Sequence, residues 1–243
     1  MKKVIIWTVS VLAVLAIAYL GFTCWFGARV KDELAKLRPE DTKKIGAMYC
    51  IRDQHANMFA FRTSAGYIAF DAGITDDGIE KELVSLGIEP DSVVRVFLTH
   101  TDHDHAGGLD LFDNAQVYIS DAEKQMVDGT TSRAPLMHNS IPEGYKTMAD
   151  GETVTVGDTK VRGVLAPGHT PGSMCFVVND SILISGDAFS LQGGKASNFN
   201  ELFTMDMPTH LESIKKLSAL QGIKHIYTAH YGFSDDFNSV FSK

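Results

Sequence analysis

Between His100 and His105, five of six consecutive residues carry a lone pair that can hold a cation: His100, Asp102, His103, Asp104 and His105. A merely solvated loop has no need of three imidazoles and two carboxylates together, and this mixture of nitrogen and oxygen donors suits a divalent transition ion. A centre of that kind supports hydrolysis, because a cation polarises the oxygen of the bond to be cut and ionises a water molecule near neutral pH. No serine or cysteine nucleophile is then required.

Such a cluster must be rooted in something rigid. Val93-Val94-Arg95-Val96-Phe97-Leu98 is β-branched and apolar, which predicts a buried strand ending where the cluster begins, and Gly107-Gly108 lets the backbone turn tightly after it. Two distant positions have local reasons of their own. His169 lies in Ala166-Pro167-Gly168-His169-Thr170-Pro171-Gly172-Ser173, where the bracketing Pro and Gly residues fix backbone angles that aim one imidazole inward. Asp187 follows the apolar run Ile182-Leu183-Ile184, where a carboxylate buried without a partner is expensive. A metal resolves that cost; capping the following loop is the structural alternative.

Thr99, His100, Asp104 and His105 with Gly107-Gly108 resemble the Thr-His-x-His-x-Asp-His signature of the metallo-β-lactamase superfamily. Gly168-His169-Thr170-x-Gly172-Ser173, Ser185-Gly186-Asp187 and Ala229-His230-Tyr231-Gly232 resemble its later elements, so the likeness runs from Ile45 to Gly232. The resemblance implies an α+β fold, a four-layer αββα sandwich, and a hydrolase of the glyoxalase II and lactonase kind. It implies a first divalent ion held by His100, Asp102 and His169, a second held by Asp104, His105 and His230, and Asp187 bridging the two. Zinc is the first expectation for both ions, with manganese or iron as alternatives.

One residue departs from the signature: Asp102 stands where the second histidine belongs. A carboxylate reaches zinc at about the same distance as an imidazole, and a harder, charged ligand moves preference towards manganese or iron. Either Asp102 is the ligand and His103 points away, or the loop shifts and His103 replaces it; the flanking residues hold the register for Asp102. Hydroxide formed between the ions would attack an ester, thioester, lactone or amide-type bond of a small molecule. Asp104 would orient it and Tyr231 would hydrogen-bond the oxyanion, core packing being the other reading of that tyrosine. Phosphodiester or sulfate-ester cleavage, and a non-catalytic metal-binding domain, are the competing functions. Asp71-Ala72-Gly73 matches the family's Asp-x-Gly, in which the aspartate orients ligands from outside the metal shell; capping the loop before a helix at Ile79 to Leu86 is the local alternative.

From Val4 to Phe26 the chain is almost unbroken hydrophobe, preceded by Lys2 and Lys3. That length crosses a bilayer as a helix, and the positive-inside tendency keeps the N-terminus in the cytoplasm with the catalytic domain outside. An uncleaved signal anchor is expected, and secretion after signal cleavage is the alternative. The division is then 1–26 anchor, 27–44 charged linker and 45–243 catalytic domain. Asp128 to Asp150, carrying Met137, His138 and Tyr145, reads as an irregular lid or substrate loop. His210, early in a helix over Met207 to Leu220, reads as a surface residue, and His225 as strand packing. Cys50 and Cys175 read as small core residues, with one bridge between them left open.

At 243 residues and 44% hydrophobic content the chain can bury one substantial core. Its formal net charge of -8 gives no general attraction for a phosphate backbone, so a small-molecule substrate and no nucleic acid is the expectation. The oligomeric state is not legible.

Overall fold

The computed structural model describes residues 2–134 and 138–242. Pro135 and Met137 of the expected substrate loop lie outside the described residues. Contacts divide the chain into a unit ending at Leu37 and a unit starting at Arg38. The first is one helix, α1 (Lys2–Leu34), which continues beyond residue 26 into the charged stretch. Its Leu12–Leu34 segment, 23 residues of mean hydropathy 1.5, is long and apolar enough to cross a membrane.

The second unit is built from two main sheets. The first sheet runs β1 (Lys43–Ile45), β2 (Met48–Asp53), β3 (Ala56–Thr63), β4 (Gly66–Phe70), β5 (Val93–Phe97), β6 (Gln116–Ser120) and β7 (Lys146–Met148), in that order. The second contains β8 (Thr153–Val156), β9 (Thr159–Leu165), β10 (Met174–Val178), β11 (Ile182–Ile184), β14 (His225–Thr228) and β15 (Gly232–Ser234). A separate hairpin pairs β12 (Ser190–Gln192) with β13 (Lys195–Ser197). The helices of this unit are α2 (Asp76–Ser85), α3 (His103–Ala106), α4 (Lys124–Val127), α5 (Met207–Ser218) and α6 (Phe237–Phe241).

Alternation along the strands makes the layers. Met48, Phe59, Phe70 and Phe97 of one sheet meet Phe176, Ile184 and Tyr227 of the other in a central core. On the outer face of the first sheet, Ile51, Met58, Ala69 and Val96 pack with Ile79 and Leu83 of α2. On the outer face of the second, Val164, Cys175, Val177, Leu183 and Ile226 pack with Leu217 of α5 and Phe237 and Val240 of α6. Three apolar layers between helix, sheet, sheet and helix are the αββα sandwich, and each fully buried aromatic or aliphatic side chain contributes about 1.5–3 kcal/mol to it. Cys50 and Cys175 are both free thiols, one in the central core and one in an outer layer, so no bridge joins them.

The topology also decides where chemistry can sit. β4, β5 and β6 run parallel to one another, as do β11 and β14. Their carboxyl ends deliver Asp71, the His100 to His105 turn, Asp187 and His230, and the carboxyl ends of parallel strands are where ligands bind in open sheets.

Candidate metal centre

β5 ends at Phe97, and the next residues are held from below. The Thr99 amide donates to Asp71 Oδ1 at 2.7 Å, after which Asp102 leads into the single turn of α3 that carries Asp104 and His105. The glycines behind this turn are required by space: a Cβ on Gly107 would lie 2.2 Å from the Ile74 carbonyl oxygen, and one on Gly108 2.4 Å from that of Ala72.

Among the described residues, three sets of donors have ligand atoms all within 4.8 Å of one another: His100, Asp102 and His169; His100, His105 and Asp187; and Asp104, His105 and His230. Asp187 joins the sets. Its Oδ1 lies 3.5 Å from His105 Nε2 and 3.3 Å from His230 Nε2, and its Oδ2 lies 3.4 Å from His169 Nε2. Asp104 Oδ2 is 3.4 Å from His230 Nε2 and 3.9 Å from that of His105. Asp102 Oδ2 is 3.4 Å from His100 Nε2 and 3.2 Å from His169 Nε2. All seven residues singled out by the motifs are therefore brought together.

Outer contacts aim the imidazoles. His105 Nδ1 donates to Asp71 Oδ2 at 2.9 Å, and His230 Nδ1 donates to the His55 carbonyl at 2.6 Å. His100 Nδ1 lies 3.0 Å from Thr99 Oγ1, whose own hydroxyl donates to Asp71 Oδ2 at 3.0 Å. These three rings thus spend Nδ1 on the scaffold and turn Nε2 to the centre, the arrangement that sets ring orientation in a metal site. Asp71 adopts a left-handed φ of 61° to reach these partners, a conformation rarely taken by residues other than glycine, although aspartate tolerates it better than most. It does not cap the following helix. Thr75 caps α2, and Asp53 accepts from the Ile74 and Thr75 amides.

The electrostatics are those of a concentrated cation site. Burial alone would raise the Asp187 carboxyl, but His230, His105 and His169 carry it well below the usual carboxylate range. Burial would likewise lower His105, but Asp187, Asp71 and Asp104 raise it well above an ordinary imidazole. His105 Nε2 and His230 Nε2 face each other at 3.3 Å, a spacing that needs a proton or a cation between the lone pairs. His100 Nε2 and Asp187 Oδ1 are buried without a hydrogen-bond partner. Orphaned donors of this kind, with Asp104, His105 and His230 converging beside them, fit a divalent ion.

A profile of the metallo-beta-lactamase superfamily matches residues 51–225. The chain belongs to that superfamily. Its relatives include YobT, an uncharacterised protein of Bacillus subtilis, 37% identical over 115 residues that cover 42% of this chain and 48% of YobT. They also include a probable polyketide biosynthesis zinc-dependent hydrolase of Bacillus velezensis, 28% identical over 170 residues, covering 67% of this chain and 69% of that one. The alignments thus span about half to two thirds of the length of these curated relatives. Other relatives bear the names hydroxyacylglutathione hydrolase, in Synechococcus, and acyl-coenzyme A thioesterase, in Bos taurus. The fold is that of BJP-1, a subclass B3 metallo-beta-lactamase of Bradyrhizobium japonicum: TM-score 0.63, 19% identity, 80% of this chain and 79% of that chain covered.

Against the superfamily signature, the surroundings of Asp102 stand out. Arg133 grips this carboxylate with two nitrogens: Nε is 3.0 and 2.9 Å from its two oxygens, and Nη2 donates to Oδ2. The same Nη2 lies 3.0 Å from His169 Nε2, and Nη1 donates to the Phe203 carbonyl. Asn139 donates to Asp102 Oδ1 and to Thr101 Oγ1, both at 3.0 Å. Burial would raise the Asp102 carboxyl, yet His100 and His169 hold it well below the usual range. His169, by contrast, is pushed down to about 4, chiefly by burial. His103 lies elsewhere, lining a cavity of about 590 Å³ with His138, Ile141 and Pro142.

The motifs did not disclose Arg133, His55, Glu123 or Phe199. The His55 ring stacks on His230 at 6.0 Å with its Nε2 3.7 Å from Asp104 Oδ2; a histidine in the turn between two strands was the one available signal. Buried Glu123 ties the two motif loops together, accepting from the Thr101 amide and hydroxyl at 2.8 Å and from the Thr170 hydroxyl at 2.6 Å. Phe199 stands edge-on to His169 at 5.0 Å and to Tyr231 at 5.8 Å, making an apolar wall. His210 is not a surface residue: it is fully buried, and its Nε2 accepts from the Phe199 amide at 3.2 Å. It sits on the inward face of α5, where Gly168 packs directly on its backbone.

Proposed function

We propose that this chain is a metal-dependent hydrolase that cleaves an ester, thioester, lactone or amide-type bond of a small molecule, thioester first. The observation that carries the reading is the convergence of Asp104, His105 and His230 within 4.8 Å beside the unpartnered, buried Asp187 Oδ1. A relative named as a probable zinc-dependent hydrolase supports zinc as the ion, and a relative named as an acyl-coenzyme A thioesterase supports the bond. Manganese and iron are the alternatives that Asp102 brings in through its charge. The two-ion arrangement implied by the family has donors in both groups, His100, Asp102 and His169 in one and Asp104, His105 and His230 in the other, with Asp187 between them.

When bound, a divalent ion supplies Lewis acidity and brings the pKa of a water ligand towards neutrality. The chain's own residues do the rest. Asp104 is the most exposed carboxylate of the cluster, and burial is outweighed by His105, His55 and His230, which hold it below the usual carboxylate range. It is placed to accept a hydrogen bond from the attacking water and to orient it. Asp71 and the His55 carbonyl keep Nε2 of His105 and His230 directed at the centre. Phe199 excludes water from one side, and the half-buried Tyr231 beside it is the candidate to hydrogen-bond a developing oxyanion. The reading takes α1 as a membrane anchor, and Lys2 and Lys3 at its amino end support a catalytic unit outside the cytoplasm.

The test is a hydrolysis panel with the full chain in detergent, loaded with zinc, manganese or iron in turn. Thioesters of glutathione and coenzyme A, a lactone, an aryl ester and a phosphodiester are the probes. Turnover of the thioesters, abolished by chelator and restored by zinc, is expected. Stoichiometric metal with no turnover anywhere on the panel would make the chain a metal-binding domain, and turnover of the phosphodiester alone would move it to the other branch.

A further inference from the structure

A histidine in the place of Asp102 would be neutral; Asp102 adds a negative charge, and the fold has put a positive one on it. The Arg133 guanidinium meets both Asp102 oxygens, donates to the His169 and Phe203 carbonyls, and points Nη2 at His169 Nε2 from 3.0 Å. Arginine has no acceptor, so at that contact His169 Nε2 must be the acceptor. An imidazole nitrogen has one in-plane lone pair. It can receive the guanidinium proton or bind an ion, and not both. Arg133 and a first-site ion therefore compete for the same atom of His169 and the same oxygen, Oδ2, of Asp102. In the other group, among the described residues, the partners of His105 Nε2 and His230 Nε2 are each other, Asp104 and Asp187.

Charge counts the same way. Three carboxylates, Asp102, Asp104 and Asp187, face the cluster. The guanidinium already supplies a positive charge at Asp102, so a divalent ion is drawn less strongly to the first group than to Asp104 and Asp187.

We propose that Arg133 is the resident cation of the first donor group, so that the chain binds one divalent ion, at Asp104, His105, His230 and Asp187. The assignment rests on the metal-hydrolase reading above and deepens it. Arg133 holds the first group closed through its partly exposed ion pair with Asp102, whose Oδ1 also accepts from Asn139. The ion pair also explains the aspartate: with a histidine in its place the guanidinium would lose its anionic partner.

The experiment is metal stoichiometry on the full chain in detergent, loaded with excess zinc, desalted and measured by elemental analysis, with a parallel cobalt titration read from its visible absorption. Wild type is expected to retain one ion and to saturate at one equivalent of cobalt. Arg133→Met, which keeps the aliphatic stem, is expected to retain two, the second arriving with its own spectrum. Two tightly held ions in the wild type would overturn the proposal even if the variant failed to fold. A folded Arg133→Met that stays at one ion would overturn it as well. A wild type that binds no ion at all would sink the hydrolase reading, and this proposal with it.

Discussion

The carboxylate of Asp71 accepts a hydrogen bond from Nδ1 of His105 at 2.9 Å, with both side chains buried. The same carboxylate takes the Thr99 amide and hydroxyl, so one residue at the end of β4 fixes both the root of the His100 to His105 turn and the orientation of one of its rings. Asp71→Asn keeps a residue that tolerates the left-handed backbone and preserves one acceptor, but places an amide where His105 expects an oxygen. Zinc affinity is expected to fall about 10- to 100-fold, the usual cost of losing an outer partner of a ligand. Competition against a chelator of known strength measures it, and an unchanged affinity would contradict the orienting role.

Glu123 performs the equivalent task for the two motif loops. It is 1% exposed and its oxygens collect the Thr101 amide, the Thr101 hydroxyl and the Thr170 hydroxyl. Glu123→Ala strands three buried donors, each costing about 1–3 kcal/mol, so a destabilisation of about 3 kcal/mol or more is expected from denaturant unfolding. Glu123→Gln keeps an acceptor and should cost distinctly less. Equal stabilities for the two variants would mean that packing, rather than the acceptors, is what matters there.

These outer residues show where sequence reading stops. His100, Asp104, His105, His169, Asp187 and His230 were legible because each stands in a short motif that resembles an element of the superfamily's signature. The sandwich was legible through the family resemblance those motifs carry; strands such as β3 and β4 are apolar on both faces and show no alternation from which the layers could be read. Arg133 and Glu123 carry no such mark. Their roles depend on a loop crossing from β6 to the far motif 36 and 47 residues away, which no local pattern encodes. His210 misled for a related reason: a polar residue in the first turn of an amphipathic helix reads as solvated unless one knows that Gly168 lies against it. The short strands β1, β12, β13 and β15, three residues each, are too brief to show a period at all.

His210 gives a pH prediction with a definite sign. Burial lowers its folded value from the ordinary imidazole range, while in the unfolded chain it titrates near pH 6.5. Below about 6.5 the unfolded state therefore takes up the proton first, so the contribution of His210 to stability is complete above that pH and is lost as pH falls towards the folded value. Its Nε2 also holds the Phe199 amide, so protonation there loosens the apolar wall of the site. The metal-free protein should lose melting temperature between pH 7.5 and 5.5 more steeply than its His210→Gln variant. Parallel curves for the two proteins would remove His210 from the account.

The N-terminal helix is expected to decide where the protein resides rather than what it binds. Residues 12–26 of α1 are all exposed within the structure, and the unit from Arg38 onwards contains every donor of the metal cluster. A chain beginning at Arg38 should leave the membrane fraction and retain zinc, whereas the full chain should resist extraction by salt and carbonate and yield only to detergent. Release of the full chain by salt alone would show that α1 does not anchor it.

The last expectation concerns the pairing of Asp102 with Arg133 in free-energy terms. The guanidinium is 29% exposed and the carboxylate 13%, so the pair lies between a surface ion pair, worth under about 1 kcal/mol, and a buried one whose disruption costs about 3–5 kcal/mol. A double-mutant cycle of Asp102→Asn and Arg133→Met on the metal-free protein should give a coupling of about 1–3 kcal/mol. Asp102→Asn alone should be the worse single change, because it leaves a guanidinium facing His169 without an anion, while Arg133→Met leaves Asp102 with His100, His169 and Asn139 still beside it. Coupling near zero, or the opposite order of the two single variants, would mean that Arg133 rests on Asp102 without depending on it.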